Sequence, residues 1–238
     1  MSTFNFLYKR TIPINDKISI YIPTVREVVE DEDAYYSAVS MFTAMPIDMM
    51  VQLDDAGIDF SKIDAWQLFI IMFPALQEMD THLILGDLDL SKFQLAVNKN
   101  VQQVILKNPE DGTVIDFGIH GQIAATLRHI LHTEKDRRKP GNEAARKYMI
   151  ERAREKQKRK RKKTQTSQLE PLIIAMVNSE QYKYNYEGTL DLTIYQFNES
   201  VRQVVKKDGY NHRMTGIYAG TVDVSKIHKK ELDWLSND

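Results

Sequence analysis

The 238-residue sequence contains no cysteine. Disulfide bonds, thiolate zinc sites, iron–sulfur clusters and a cysteine nucleophile are therefore excluded. Glycine and proline are sparse, at 10 and 7 residues, so long loops without regular structure are not expected. The lack of cysteine also fits a reducing compartment.

A long apolar run is missing as well. The most apolar window, Trp66 to Leu76, has 11 residues and contains Pro74, whereas a membrane-spanning helix needs about 20. The first residues show no basic segment followed by an apolar core, so no secretory signal is predicted. We therefore expect a soluble, cytoplasmic protein that works without a membrane.

The common catalytic motifs are absent. The chain has no GxxxxGK[ST] or GxGxxG phosphate loop, no GxSxG nucleophile elbow and no HExxH zinc motif. His129 and His132 stand three residues apart on a predicted helix and could share a metal, with Glu134 and Asp136 completing its ligands. The alternative is that they offset the dipole at a helix end.

Asp87 and Asp89 could supply paired carboxylates for a metal or for acid–base chemistry. Gly86 and Ser91 flank them, so a turn that caps a short helix is the simpler interpretation. Neither this pair nor the histidine pair defines a mechanism. We expect no enzyme activity, no cofactor and no bound metal.

Charges of opposite sign are separated along the chain, although the net charge is only −1. Residues 1–100 contain 7 basic and 15 acidic side chains, a net charge of −8. Residues 134–163 contain 15 basic and 5 acidic side chains, a net charge of +10. Such a separation of charges bears on which partners the protein binds and on its solubility, and it does not indicate the fold.

Hydrophobic periodicity predicts a mainly α fold with two small β-hairpins, an α+β class. Apolar residues alternate over 4–8 and 18–22 around a polar turn, and again over 101–105 and 113–117 around a second turn. Longer stretches have helical spacing. The predicted helices cover 25–44, 47–56, 65–73, 119–132, 143–163, 169–177, 189–207 and 210–218.

A change in composition divides the chain into three parts. Pro140-Gly141 breaks the helical pattern, and Asn142 can cap a helix whose later part has no apolar face. We predict an acidic α+β domain over 1–133, a basic helical connector over 134–166 and a compact helical domain over 167–238.

The connector ends in a run of cations, which is the first candidate binding site. They could neutralise nucleic-acid phosphates in a salt-dependent contact, dock on an acidic protein surface such as the acidic half of another copy, or form a solvated linker. No aromatic residue interrupts the run, so stacking on single-stranded bases is not supported. The candidate residues are Arg152, Arg154, Lys156, Lys158, Arg159, Lys160, Arg161, Lys162 and Lys163.

Tyr182, Tyr184 and Tyr186 are the second candidate binding site. Alternation along an extended segment would expose all three rings on one face, as a protein-binding patch. The rings could instead pack between the two flanking helices, which is the commoner arrangement.

Several stretches resemble a protein family encoded by tailed bacteriophages of Gram-positive hosts. They are Gly86 to Lys92, Ser167 to Phe197 through Asn178-Ser179, Met214 to Trp234, and the N-terminal hairpin that leads into Ile22-Pro23-Thr24-Val25. The resemblance covers most of the chain and is weak over 134–166.

The resemblance implies a role in virion or tail assembly, either as a tail or baseplate component or as an assembly chaperone. Its partners would be other virion proteins or further copies of the chain. The protein would then act in the host cytoplasm during assembly or remain in the tail of the virion. The resemblance supplies no catalytic residues. The alternative is a phage protein that binds nucleic acid through 152–163.

Overall fold

The computed structural model describes residues 3–98, 102–160, 167–228 and 232–235. Within these ranges the chain is mainly helical and has two small antiparallel sheets, which confirms the predicted α+β class. None of the described helices is long and apolar enough to cross a membrane.

Ten α-helices and five strands occur in the described ranges. The helices are α1 (Val25–Glu30), α2 (Glu32–Thr43), α3 (Met50–Asp55), α4 (Ala65–Leu76), α5 (His82–Leu85), α6 (Phe117–Leu131), α7 (Glu143–Lys160), α8 (Leu169–Val177), α9 (Tyr186–Asp191) and α10 (Ile194–Tyr218). The strands are β1 (Thr11–Pro13), β2 (Ser19–Tyr21), β3 (Gln94–Asn98), β4 (Gln103–Lys107) and β5 (Val114–Ile115). Short 3-10 helices cover Thr3–Leu7, Leu90–Lys92 and Val224–Lys226.

The N-terminal hairpin lies later in the chain than predicted. Strands β1 and β2 pair antiparallel with Ile12 opposite Ile20, and the Asn15 side chain accepts backbone hydrogen bonds in the predicted turn. The prediction of a strand over 4–8 was wrong, because Thr3–Leu7 forms a 3-10 helix. A few alternating residues cannot distinguish these structures, and the tertiary contact of Phe6 with the Tyr195 ring goes with the helical form.

The second sheet has one strand more than predicted. Its order is β3-β4-β5, and both pairings are antiparallel. Strand β3 was missed because its five residues contain only two large apolar side chains and lie at a sheet edge. The predicted start of the next strand at Val101 lies outside the described residues, and β4 begins at Gln103.

Helices α1 and α4 start after their predicted capping residues. Other predicted helix bounds were wrong: the stretch 189–207 was predicted as one helix, but α9 ends at Asp191 and α10 starts after Thr193. Thr24, Asp64 and Thr193 each form a capping box at the start of α1, α4 and α10, a feature that stabilises a helix by about 1 kcal/mol. The predicted helix over 25–44 breaks at Asp31. Gly209 was predicted to end a helix but lies inside α10, because one helical glycine costs only about 1 kcal/mol.

The main hydrophobic core extends across the predicted boundary at 166/167. Buried residues of the N-terminal part, such as Ile20 and Phe42, belong to the same cluster as Leu169 and Phe197. The backbone joins the two parts directly, because the amide of Val25 donates to the Leu192 carbonyl at 2.8 Å. Whether 1–133, 134–166 and 167–238 fold as separate units stays a prediction.

Candidate interaction surfaces

The first half of helix α7 is docked on the body of the protein. Asn142 starts the helix, since its side-chain oxygen accepts a hydrogen bond from the Ala145 amide at 2.8 Å. Ile150 is buried in a second, smaller hydrophobic cluster with Leu53 and Phe60. This part of the predicted connector therefore packs against the acidic N-terminal segment.

Ion pairs also attach α7 to the N-terminal part of the chain. The Arg154 guanidinium lies 2.8 Å from Asp54 and 2.6 Å from Asp55, where α3 ends. Arg146 lies 3.7 Å from Asp59. The chain thus provides an acidic surface for Arg154, one of the predicted binding residues, within the same molecule.

The opposite face of α7 is basic and exposed. Arg152, Lys156 and Arg159 are spaced i, i+4 and i+7, so they share the side of the helix that faces away from Ile150 and Arg154. The Arg152 guanidinium lies 5.9 Å from the centroid of the Tyr148 ring. Among the described residues, Lys156 and Arg159 have no ion-pair partner.

The remaining cations of the predicted site are less fully described. Lys158 is exposed, and Lys160 is the last residue of α7. Arg161, Lys162 and Lys163 lie outside the described residues. Cations at this end of the helix also complement the partial negative charge of its last carbonyl groups.

The three predicted patch tyrosines do not share one exposed face. Tyr182 is buried in the main core, and burial raises the pKa of its hydroxyl group. Tyr184 and Tyr186 are about half exposed. The rings of Tyr182 and Tyr184 lie 5.5 Å apart, so the first tyrosine anchors the segment and the other two reach the surface.

An open apolar groove, which was not predicted from the sequence, lies beside helix α4. Its volume is about 760 Å³. Trp66, Ile70 and Ile71 of α4 form one wall, and Val104 and Phe117 line it from β4 and the start of α6. The Trp66 indole donates to the Val104 carbonyl at 3.1 Å, which joins the helix to the strand. Three apolar side chains of this groove, Ile71, Val104 and Phe117, are exposed.

A signal for the groove was present in the sequence. Helix α4 is apolar on almost every side, yet a helix can bury only the faces that other elements cover. Leu68 and Phe73 face the interior, and the adjacent Ile70 and Ile71 lie on the side that remains open. The apolar run by itself predicts a core segment, because periodicity cannot show which side of an apolar helix lacks a neighbour.

A smaller hollow of about 370 Å³ adjoins the groove and shares Phe117 with it. The loop before α7 borders this hollow with Lys135, Arg137 and Lys139. The apolar groove therefore lies next to a basic loop. A partner surface with apolar side chains and neighbouring acidic groups would complement both.

The histidine pair faces a tyrosine of α10. The rings of His129 and His132 lie 5.5 and 5.6 Å from the Tyr195 ring, and His132 Nε2 lies 3.1 Å from a Glu199 oxygen. Burial lowers the pKa of both histidines. Asp136, considered above as a further metal ligand, instead pairs with Arg138 at 2.6 Å.

In the other considered carboxylate pair, Asp89 has a local structural role. Asp89 accepts hydrogen bonds from the amide and hydroxyl of Ser91 and caps a 3-10 turn, as the simpler interpretation predicted. Within the described ranges, no group of three histidine or acidic side chains is placed to hold a metal ion.

Residues 158–237 match the family model of the YomV second domain. The match covers about a third of the chain and is consistent with a phage protein of Gram-positive hosts. The YomV-like segment begins in the last turn of α7, earlier than the predicted boundary at 167, and includes α8, α9 and α10. No curated protein and no solved structure matches the chain.

Proposed function

We propose that this protein assists the assembly of a bacteriophage tail or baseplate by binding other virion proteins, as a component or as a chaperone. The similarity to the YomV second domain supports the phage setting. The observation that carries a binding role is the apolar groove with exposed Ile71 and Phe117. Contiguous exposed apolar surface on a folded protein is typical of a protein-binding site.

The surroundings of the groove suit a protein ligand. Apolar walls favour aliphatic or aromatic anchors, and the polar indole of Trp66 is already satisfied by Val104. Lys135, Arg137 and Lys139 border the adjoining hollow and favour acidic residues beside those anchors. The proposed partner therefore presents an apolar segment with acidic neighbours.

The most deeply buried histidine of the described residues has a structural explanation, which favours binding over catalysis. His120 is buried, its Nε2 lies 3.1 Å from the Phe42 carbonyl, and its ring stacks on Phe69. Its position inside the core leaves no room for a substrate. We propose that the protein has no enzymatic activity of its own.

The test is to compare phage particles made with the normal protein and with groove variants. Ile71→Asp and Phe117→Asp place carboxylates in the groove without changing the interior. We expect both variants to lose tail proteins in cross-linking of infected cells followed by mass spectrometry. Val205→Asp on α10 is the matched control, since Val205 is exposed far along the chain from the groove.

Mass spectrometry of purified virions then separates the two forms of the proposal. A protein present in the particle is a component, and one present only in assembly intermediates is a chaperone. Normal tails from a phage that lacks the protein altogether would refute both forms.

A second candidate function is nucleic-acid binding by the outward face of α7. Its support is the exposed row of Arg152, Lys156 and Arg159. If these three cations contact phosphates, raising the salt from about 50 to about 200 mM should weaken DNA binding about 40-fold.

The matched experiment replaces all three cations with glutamate and titrates fluorescent DNA at both salt concentrations. The control replaces three exposed lysines elsewhere, Lys9, Lys107 and Lys183, with glutamate. Equal binding by the two triple variants, or no binding by the unmodified protein at low salt, would eliminate this candidate.

A further inference from the structure

Strand β3 forms one edge of the second sheet, and it lacks the usual features that protect an edge. Its residues Gln94–Asn98 include no charged side chain and no proline. All five pair in continuous register with β4, so no β-bulge interrupts the strand. Folded proteins commonly block exposed edges with a charge, a proline or a bulge to prevent pairing with other chains.

The side chains along this edge are apolar and exposed. Leu95 is 55% exposed and Val97 is 62% exposed, and they share one face of the sheet because they are two residues apart. Val104 lies opposite Val97 on β4 and is 42% exposed. The three side chains form an exposed apolar strip that ends at the buried Leu106, opposite Leu95, and Val104 also lines the groove beside α4.

Strand β4 of the same hairpin is the middle strand of the sheet and pairs with β5 at Leu106 and Lys107. Trp66 donates to the Val104 carbonyl and thereby occupies a backbone acceptor of β4. The other edge strand of this sheet, β5, has only two residues, and a very short edge strand is itself a protected edge.

The order of residues along β3 is self-complementary about Ala96. When two copies of the strand pair antiparallel with Ala96 opposite Ala96, Leu95 of each copy faces Val97 of the other. Gln94 then faces Asn98, so polar side chains meet polar ones. The residues of β3 carry no charge, and Lys92, just before the strand, pairs with Glu110 at 2.7 Å.

We propose that two copies of this protein associate through their β3 edges, which joins two three-stranded sheets into one six-stranded sheet with two-fold symmetry. The proposal does not depend on a role in phage assembly. A specific interface typically buries roughly 800 Å² per partner, which is more than a five-residue edge provides alone. We therefore expect a weak, reversible dimer in which Leu95 and Val97 of one copy pack beside Val97 and Leu95 of the other.

Sedimentation of the purified full chain across a range of concentrations tests the dimer. We expect a reversible monomer–dimer equilibrium, which a double Leu95→Lys, Val97→Lys variant shifts to the monomer. A double variant with glutamate at both positions should also be monomeric. Mixing the two variants should restore a dimer, because each lysine then faces a glutamate. Val205→Lys is the control for adding a charge at an exposed apolar position, and it should leave the equilibrium unchanged.

Cysteine cross-linking tests the register, and the lack of native cysteine makes each introduced thiol unique. Oxidised Ala96→Cys protein should form a covalent dimer, since the two copies of this residue face one another. Gln94→Cys protein should not, because its partner across the edge is Asn98.

Three outcomes would overturn the proposal. They are a monomer at every concentration, a dimer that the paired lysine substitutions leave intact, and efficient cross-linking through Gln94→Cys instead of Ala96→Cys. If the protein is a monomer at every concentration and a strand of another protein binds at β3, the edge is a binding site for that other protein. Pairing between copies of this chain would then be excluded.

Discussion

The guanidinium of Arg154 lies 2.8 Å from the carboxylate of Asp54, one hundred residues earlier in the chain. The pair joins the basic helix α7 to the end of the acidic helix α3. Ile150 is buried one helical turn before Arg154, so an apolar contact and an ionic contact hold the same face of α7. The basic face of α7 that remains exposed is consequently on the other side, at Arg152, Lys156 and Arg159.

We predict that Ile150→Ala destabilises the protein by about 2–3 kcal/mol, because it removes a buried side chain from the smaller hydrophobic cluster. Urea unfolding followed by circular dichroism measures the loss. Ile174→Ala, at a half-exposed position of α8, should change the stability by less than about 0.5 kcal/mol. Equal losses for the two substitutions would show that α7 is not docked as described.

Arg154→Gln should weaken the attachment of α7 in a salt-dependent way. The substitution removes the ion pairs with Asp54 and Asp55 and leaves the helix propensity almost unchanged. Hydrogen exchange should become faster in the last turns of α7 at low salt, and the difference from the unmodified protein should shrink at high salt. Lys156→Gln, on the opposite face, is the control. A salt-independent effect of Arg154→Gln would contradict the ionic explanation.

Stability should fall as the pH decreases from about 6.5 to about 4. Burial lowers the pKa of His120 from 6.5 to about 4, although the hydrogen bond with Phe42 acts in the opposite direction. His120 is therefore protonated at a lower pH in the folded state than in the unfolded state. Its neutral form contributes fully to the free energy of unfolding above pH 6.5, and this contribution is lost as the pH falls from 6.5 to about 4. The pKa shift of His120 corresponds to a loss of roughly 3 kcal/mol in the free energy of unfolding over this pH range. His129 and His132 have lowered pKa values and act with the same sign.

Denaturant unfolding at several pH values measures this dependence. His120→Gln should lower the stability at neutral pH and flatten the dependence between pH 6.5 and 4. A variant with an unchanged slope would show that other groups control the acid sensitivity.

Substitution of the buried Tyr182 should destabilise the protein more than substitution of the half-exposed Tyr184. Tyr182→Ala should cost about 3 kcal/mol of stability, since it leaves a cavity in the main core. Tyr184→Ala should cost much less, because this ring is about half exposed. Thermal unfolding of both variants checks the difference. Similar midpoints would mean that Tyr182 does not anchor the segment before α9.

Local sequence signals determined most of the secondary structure. Helix α8 has the predicted bounds Leu169–Val177, and capping residues such as Asp64 and Asn142 mark the predicted helix starts. These signals succeed because a capping hydrogen bond and an amphipathic period involve residues only a few positions apart. The mainly helical class with two small sheets follows from the same local information.

Only the tertiary structure decided which apolar and charged residues remain available to partners. Composition shows that α4 is apolar and that α7 is basic, but exposure depends on elements distant in the chain. Trp66 meets Val104 across 38 residues, and Arg154 meets Asp54 across 100. The groove, the outward basic face and the free edge of β3 all arise from such long-range packing, which residue spacing along one element does not encode.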